Sequence, residues 1–356
     1  MDMKRDYYED IELFKSGTIL FWSILFVAAL FVAPLFLSNY HLYLFNLVMV
    51  HVIVAVGLNI LVGSTGQIAL GHAGFFAIGA YGTVLLMTKL GLPFFPAIVI
   101  AAFISAFFGF ILGLPALRLE GPYLAIATLA FGLAIMHIIG HTELFGGRQG
   151  LTAPVLNIGI SQWGLNWVIK TELGKYYLIL IFTIIMVLLA INILKTRAGR
   201  AFVAIRDSDI AAEVIGINLT MYKTLAFAVS SFFAGIAGGL FAFVLGFFDP
   251  FTFNLILSII FLVMVVVGGL GSVMGSIAGA TLITYLMYDL LKNVDEVPIV
   301  GNLLVAFSGK FLTTTGIDNF NLVALGLVMI GIIIFEPLGM FGAWIRIKKY
   351  WKTWPF

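Results

Sequence analysis

The side chains in this sequence that could do chemistry inside its long apolar stretches are uncharged. Asn46, His51 and Asn59 share one such stretch, and His51 and Asn59 stand eight residues apart, near one face of a helix. Gln67, His72 and Tyr81 follow in a Gly-rich run, and Thr128 and His137 stand in a later apolar stretch. Groups of this kind support two roles. They can hydrogen-bond between helices, contributing about 1 kcal/mol or less each. They can also line a weakly polar path across a membrane, for which Asn59, Gln67, His72, Tyr81 and Thr128 are the candidates. A proton relay or voltage sensor needs Asp, Glu or Arg within the spans. The apolar stretches hold almost none, and Asp289 sits near the end of one. No His pair has metal-ligand spacing backed by carboxylates, and the absence of Cys removes thiol, disulfide and Cys-metal chemistry.

Two glycine clusters carry a second kind of information. The run from Gly63 to Gly74 looks like a phosphate-binding loop but lacks its Lys-Ser/Thr ending, and the pair Gly309-Lys310 is followed by Phe311. No cofactor is therefore expected on this chain. Small residues let helix backbones approach closely, and Gly71, Gly74, Gly79, Gly268 and Gly271 are read as packing positions. Each cluster follows a Val-Gly pair, Val62-Gly63 and Val267-Gly268, which is too faint an echo to establish a repeat.

The segment 195–223 is the longest cytoplasmic loop in this reading. Phe202, Ile205, Ile210, Val214 and Ile217 recur there at helical spacing. Asp207 or Ser208 can cap a short helix that Gly216 stops. Such a helix can lie on lipid or dock in a groove of a soluble partner. Asp209 and Glu213 within it would be repelled by anionic lipid, so docking is favoured.

These residues must be positioned by membrane helices. Of 356 residues, 62% are hydrophobic and 10% charged, and the mean hydropathy is +1.13. Soluble domains carry roughly 45–50% apolar and about 25% charged residues, so a soluble globular enzyme is excluded. With 19 basic and 17 acidic residues there is no nucleic-acid footprint. Apolar runs fall at about 18–37, 42–62, 73–88, 94–117, 122–140, 176–194, 224–246, 255–267, 273–291 and 320–335, giving about ten spans, with eight or nine possible. The short runs 73–88 and 255–267 border the glycine clusters and suggest broken helices. With both termini inside, 13 Lys and Arg face the cytoplasm and 6 face out, which sets the orientation. Residues 1–17 are expected to be a cytoplasmic amphipathic lead-in without signal-peptide features, 18–345 the transmembrane domain, and 346–356 a basic cytoplasmic tail.

Residues 58–81 closely resemble the signature of branched-chain amino acid ABC permeases of the LivM type. Residues 199–218 resemble that family's ATPase-coupling loop, 265–275 match a third block, and 335–342 are similar to its closing motif. In the coupling loop Ala211-Ala212 follow Asp209-Ile210, and Gly146–Thr152 carries Arg148 and Gln149 where the family usually has Gly and Thr. The resemblance implies an all-α integral membrane permease of a binding-protein-dependent importer in a prokaryotic plasma membrane. It implies leucine, isoleucine or valine as cargo, with urea or short-chain amides as the rival within the family. It also implies a second related permease, two cytoplasmic ATPase subunits that bind the ATP, and an extracytoplasmic binding protein. Its coupling residues would be Arg206, Asp207, Ile210, Ala211, Ala212, Glu213, Val214 and Gly216. An ion-coupled secondary transporter is the rival from another class, and a membrane enzyme lacks any carboxylate pair or nucleophile constellation.

Overall fold

The computed structural model describes residues 17–115, 119, 121–157, 168–169, 171–290, 326–327, 330–331, 334, 336 and 339–353. Residues 1–16 of the expected lead-in 1–17, with Lys4, Arg5 and Lys15, most of the tenth run 320–335, and Arg118, Lys170, Lys292 and Lys310 of the charge count lie outside the described residues.

The chain is an all-α multi-pass membrane protein. Its helices are α1 Gly17–Val32, α2 Asn39–Thr65, α3 His72–Lys89, α4 Phe94–Gly113, α5 Pro122–His141 and α6 Glu172–Lys195. There follow α7 Arg197–Asp207, α8 Asp209–Val214, α9 Leu219–Leu245, α10 Leu255–Gly268, α11 Val273–Tyr285 and α12 Gly339–Thr353. A π-helical turn, Leu286–Leu290, extends α11. Helices α2, α4, α5, α6 and α9 are long and apolar enough to cross a membrane, and shorter apolar helices accompany them. Each of the nine runs from 18–37 to 273–291 coincides with a helix. Helix α12 runs through residue 346, where the basic tail was expected to begin.

The centre of the molecule is α2. It is apolar on every side, as suits a helix enclosed by others, and 94% of its most apolar stretch is buried. Helices α6, α9, α10 and α11 surround it, and α9 in turn packs on α3 and α4. Only about a third or less of α4, α5 and α6 is buried. Their exposed Phe103, Phe107, Ile126 and Ile185 suit a lipid-facing or subunit-facing surface.

Close helix approach depends on glycine. A Cβ on Gly79 would collide with the Gly235 carbonyl of α9, and one on Gly71 with the Thr128 carbonyl of α5. Gly268 and Gly275 meet backbone to backbone between α10 and α11. Gly74 is less tightly held, its Cβ position lying 3.0 Å from the Gly132 Cα. Gly271 differs in kind, because it turns the chain between α10 and α11 at φ +80°, where a side chain is strained.

Two short antiparallel pairs complete the structure. β1 Leu151–Thr152 pairs with β4 Phe247–Phe248, and β2 Leu156–Asn157 with β3 Val168–Ile169. The first pair fastens the α5–α6 connection to the end of α9.

Candidate coupling site

Helix α7 begins at a Thr196 cap, whose hydroxyl accepts from the Gly199 amide at 3.4 Å. Its apolar side is turned inward, with Phe202 and Ile205 buried against the membrane helices. Its last turn carries Arg206, whose Nη1 donates to the Gly63 carbonyl at 3.0 Å. Its Nη2 and Nε donate to Asp207 Oδ1 at 3.1 and 3.3 Å. A glycine clears room for this side chain, since a Cβ on Gly271 would lie 2.9 Å from Arg206 Nη1.

The chain then breaks at Ser208, which is extended and caps α8 by accepting from the Ala211 amide at 3.2 Å. Gly216, at φ +86°, stops the helix, and Asn218 caps α9 through the Met221 amide at 3.0 Å. Lys223 on α9 donates to Asp209 at 2.5 Å and ties the start of α8 to the membrane domain. Ala212 is buried behind the helix, and Ala211 and Glu213 are exposed. Ile210, Val214 and Ile215 are 78%, 81% and 72% exposed. A six-residue helix clamped from behind, with three large aliphatic side chains in the open, is a surface fit for an apolar partner groove.

Two expectations are corrected here. Phe202 and Ile205 do not share a face with Ile210 and Val214, because the break at Ser208 divides them between two helices, one set packed inward and the other outward. Asp209 is not a rim charge left in the open like Glu213, because Lys223 holds it and it is half-buried. Sequence reasoning assigned Lys223 no role. A Lys in the second turn of an apolar helix, 14 residues after an Asp, was the available signal.

The candidate path residues are scattered through the core. Asn59 clasps the α10–α11 turn, its Nδ2 donating to the Ser272 carbonyl at 2.8 Å and its Oδ1 accepting from the Gly271 amide at 2.9 Å. His72 pairs with Ser230 at 2.7 Å. Thr128 accepts from the Leu70 amide and donates to the Ala125 carbonyl, both at 2.9 Å. The Tyr81 hydroxyl is buried without a hydrogen-bond partner, and its ring stands edge-on to Phe145 and Phe248. His51 pairs with Thr284 at 2.9 Å, and His137 stacks on His141 with ring centres 4.0 Å apart. Asn59 and Thr128 thus act between segments of one chain.

Of the five, only Gln67 borders the larger described cavity, about 240 Å³ between the α2–α3 turn, the start of α5 and the coupling segment. Thr65, Ile205, Arg206, Asp209 and Lys223 also line it.

Comparison with known proteins adds a second line of observation. A family model described as "Branched-chain amino acid transport system / permease component" matches residues 40–335. The chain is 36% identical over 284 residues to the high-affinity branched-chain amino acid transport system permease protein LivM of Salmonella typhimurium, covering 72% of this chain and 65% of the relative. It is 35% identical over 280 residues to LivM of Escherichia coli, covering 73% and 66%. The chain thus spans just under two thirds of the length of these relatives. It is 25% identical over 314 residues to the probable branched-chain amino acid transport permease protein LivH of Methanocaldococcus jannaschii, covering 85% and 92%. No solved structure matches.

Proposed function

The chain belongs to the branched-chain amino acid transport system / permease component family, and from that premise we propose that it is a membrane-spanning subunit of a binding-protein-dependent ABC importer for leucine, isoleucine and valine. The observation that carries the reading is the α8 surface, where Ile210, Val214 and Ile215 stand exposed on a helix held rigidly by Ser208, Asp209 and Lys223. A cytoplasmic ATPase subunit docks there, and ATP is bound and hydrolysed on that partner. One chain supplies one such helix. A second related permease supplies the other, and cargo from an extracytoplasmic binding protein passes between the two permeases. Both termini face the cytoplasm of a prokaryotic cell.

The weakly polar residues fit this cargo. Leucine's side chain is disfavoured by a strongly polar path, and the core holds few charges away from the coupling site. The membrane does not drive the cycle through a charged relay; ATP does.

The test is uptake of labelled leucine by cells expressing the complete set of subunits, competed by isoleucine, valine, urea and a polar amino acid. Competition by isoleucine and valine is expected. Competition by urea alone would move the cargo to amides. Purification of the permease without any ATPase would overturn the importer reading in favour of an ion-coupled carrier.

A further inference from the structure

We infer that the cavity behind the coupling segment is a binding site for a free zwitterionic α-amino acid with an aliphatic side chain, and that its occupancy slows import. The regulatory half rests on the importer reading above.

The site is built from both sides of the coupling joint. Gln67, on the α2–α3 turn, is 6% exposed, and its Oε1 has no hydrogen-bond partner. Its orientation is fixed by its neighbours. The Thr65 hydroxyl donates to the Leu61 carbonyl, so towards Gln67 it can only accept, and it takes Nε2 at 3.1 Å. The amide oxygen must therefore point away from Thr65. An acceptor buried without a donor is costly, and a ligand ammonium supplies one.

The other groups lining the cavity complete the complement. Arg206 and Lys223 present donors for a carboxylate, and Asp209 a second acceptor for an ammonium. Leu119, Leu124 and Ile205 supply an aliphatic wall. Lys223 and Asp209 already compensate each other, and Asp207 lies on Arg206. A ligand of zero net charge with separated poles therefore leaves the balance intact, whereas a dianion does not. A volume of about 240 Å³ far exceeds the roughly 10–15 Å³ that a single water needs and leaves room for a small amino acid.

Such a ligand touches Gln67 on the fixed core and Ile205, Arg206 and Asp209 on the segment that carries α8. Filling the cavity ties the two together and resists the movement that ATP closure imposes on α8. Cargo that accumulates on the ATPase side then lowers its own import.

Two measurements test this. The purified permease–ATPase complex, without binding protein, is titrated calorimetrically with L-leucine, urea and inorganic phosphate. Separately, proteoliposomes holding the full importer with ATP inside are loaded with zero to millimolar luminal leucine, and the ratio of uptake rates with and without it is read within each variant. We expect leucine to bind, phosphate and urea not to, and luminal leucine to cut uptake several-fold. Gln67→Met should weaken leucine binding about tenfold and bring the ratio close to one, while Gln67→Glu, which keeps an acceptor, should retain inhibition. Leu124→Phe, which narrows the cavity from α5, should act like Gln67→Met. Leucine uptake without leucine binding to the complex, binding of phosphate in its place, or binding unchanged in both cavity variants would overturn the site. Leucine binding without leucine uptake would instead sink the importer reading and leave the site standing.

Discussion

Arg206 Nη1 and the carbonyl oxygen of Gly63 lie 3.0 Å apart although 143 residues separate them. Gly63 is two residues from the end of α2, so its carbonyl is one of the last four that the helix cannot satisfy itself. The guanidinium fills that vacancy at the negative end of the helix dipole. The segment that carries α8 is thereby fastened to the most enclosed of the described spanning helices.

Replacing Arg206 should therefore separate docking from transport. A hydrogen bond from a charged donor contributes about 1.5–3 kcal/mol, and partial exposure of Arg206 favours the low end. Arg206→Ala should retain the ATPase, because Ile210 and Val214 are untouched, but transport roughly tenfold less leucine per ATP hydrolysed. Arg206→Lys should recover part of the loss. An unchanged ratio of cargo moved to ATP consumed in Arg206→Ala would remove the joint from the mechanism.

The exposed side of α8 should be governed by its aliphatic residues. Burying Ile210 and Val214 in a partner groove contributes roughly 3–6 kcal/mol by area, before the costs of association. Ile210→Asp with Val214→Asp should release the ATPase in a pull-down while the permease stays folded, since both side chains are already open to solvent. Asp207→Asn or Glu213→Gln, exposed charges, should change retention by only about 0–1 kcal/mol. Equal retention by the aliphatic double variant and the wild type would exclude α8 as the docking helix.

Gly79 and Gly74 should respond differently to a methyl group. At Gly79 a Cβ meets the Gly235 carbonyl, a rigid backbone atom. Gly79→Ala should cost about 1–3 kcal/mol or more as α3 and α9 are forced apart. At Gly74 the nearest atom is the Gly132 Cα at 3.0 Å, with Phe131 ring atoms beyond it, and a shift of a few tenths of an ångström relieves it. Thermal unfolding of the purified chain, followed by size-exclusion chromatography, should rank wild type above Gly74→Ala and that above Gly79→Ala. The reverse order would show that α3 and α9 do not meet this way.

Asn59→Leu should destabilise the α10–α11 turn more than its volume suggests. It removes the acceptor of the exposed Gly271 amide and the donor to the half-buried Ser272 carbonyl, hydrogen bonds that contribute about 0.5–1.5 kcal/mol each. Asn59→Asp keeps an acceptor for Gly271 but loses the donor to Ser272 and adds a buried charge, so it should fare no better. Unfolding midpoints equal to wild type in both variants would return Asn59 to the list of path residues.

The helices were legible because apolar run length is a strong signal in lipid, where each backbone must satisfy itself. The coupling helix was legible from Ser208 and Gly216, two local signals that bracket it. What was not legible was long-range. Nothing in the spacing of Phe202, Ile205, Ile210 and Val214 reveals that one extended residue, Ser208, rotates the second pair outward. Nothing around Asn59 indicates a partner 213 residues later at Ser272. The sequence offers a buried Asn two possible uses, and only the fold chooses between them.

The enclosure of α2 has a consequence for how the protein is made. His51 waits for Thr284, 233 residues downstream, and Asn59 for Gly271 and Ser272. At about 5–20 residues per second of synthesis, α2 leaves the ribosome roughly 10–45 s before the partners of its polar groups exist. During that interval its polar side chains have neither lipid-compatible surroundings nor their native mates. Helices α10 and α11, which emerge long after α2, are thus the keystones of its assembly, and the nascent second helix must be sheltered by the insertion machinery until they arrive.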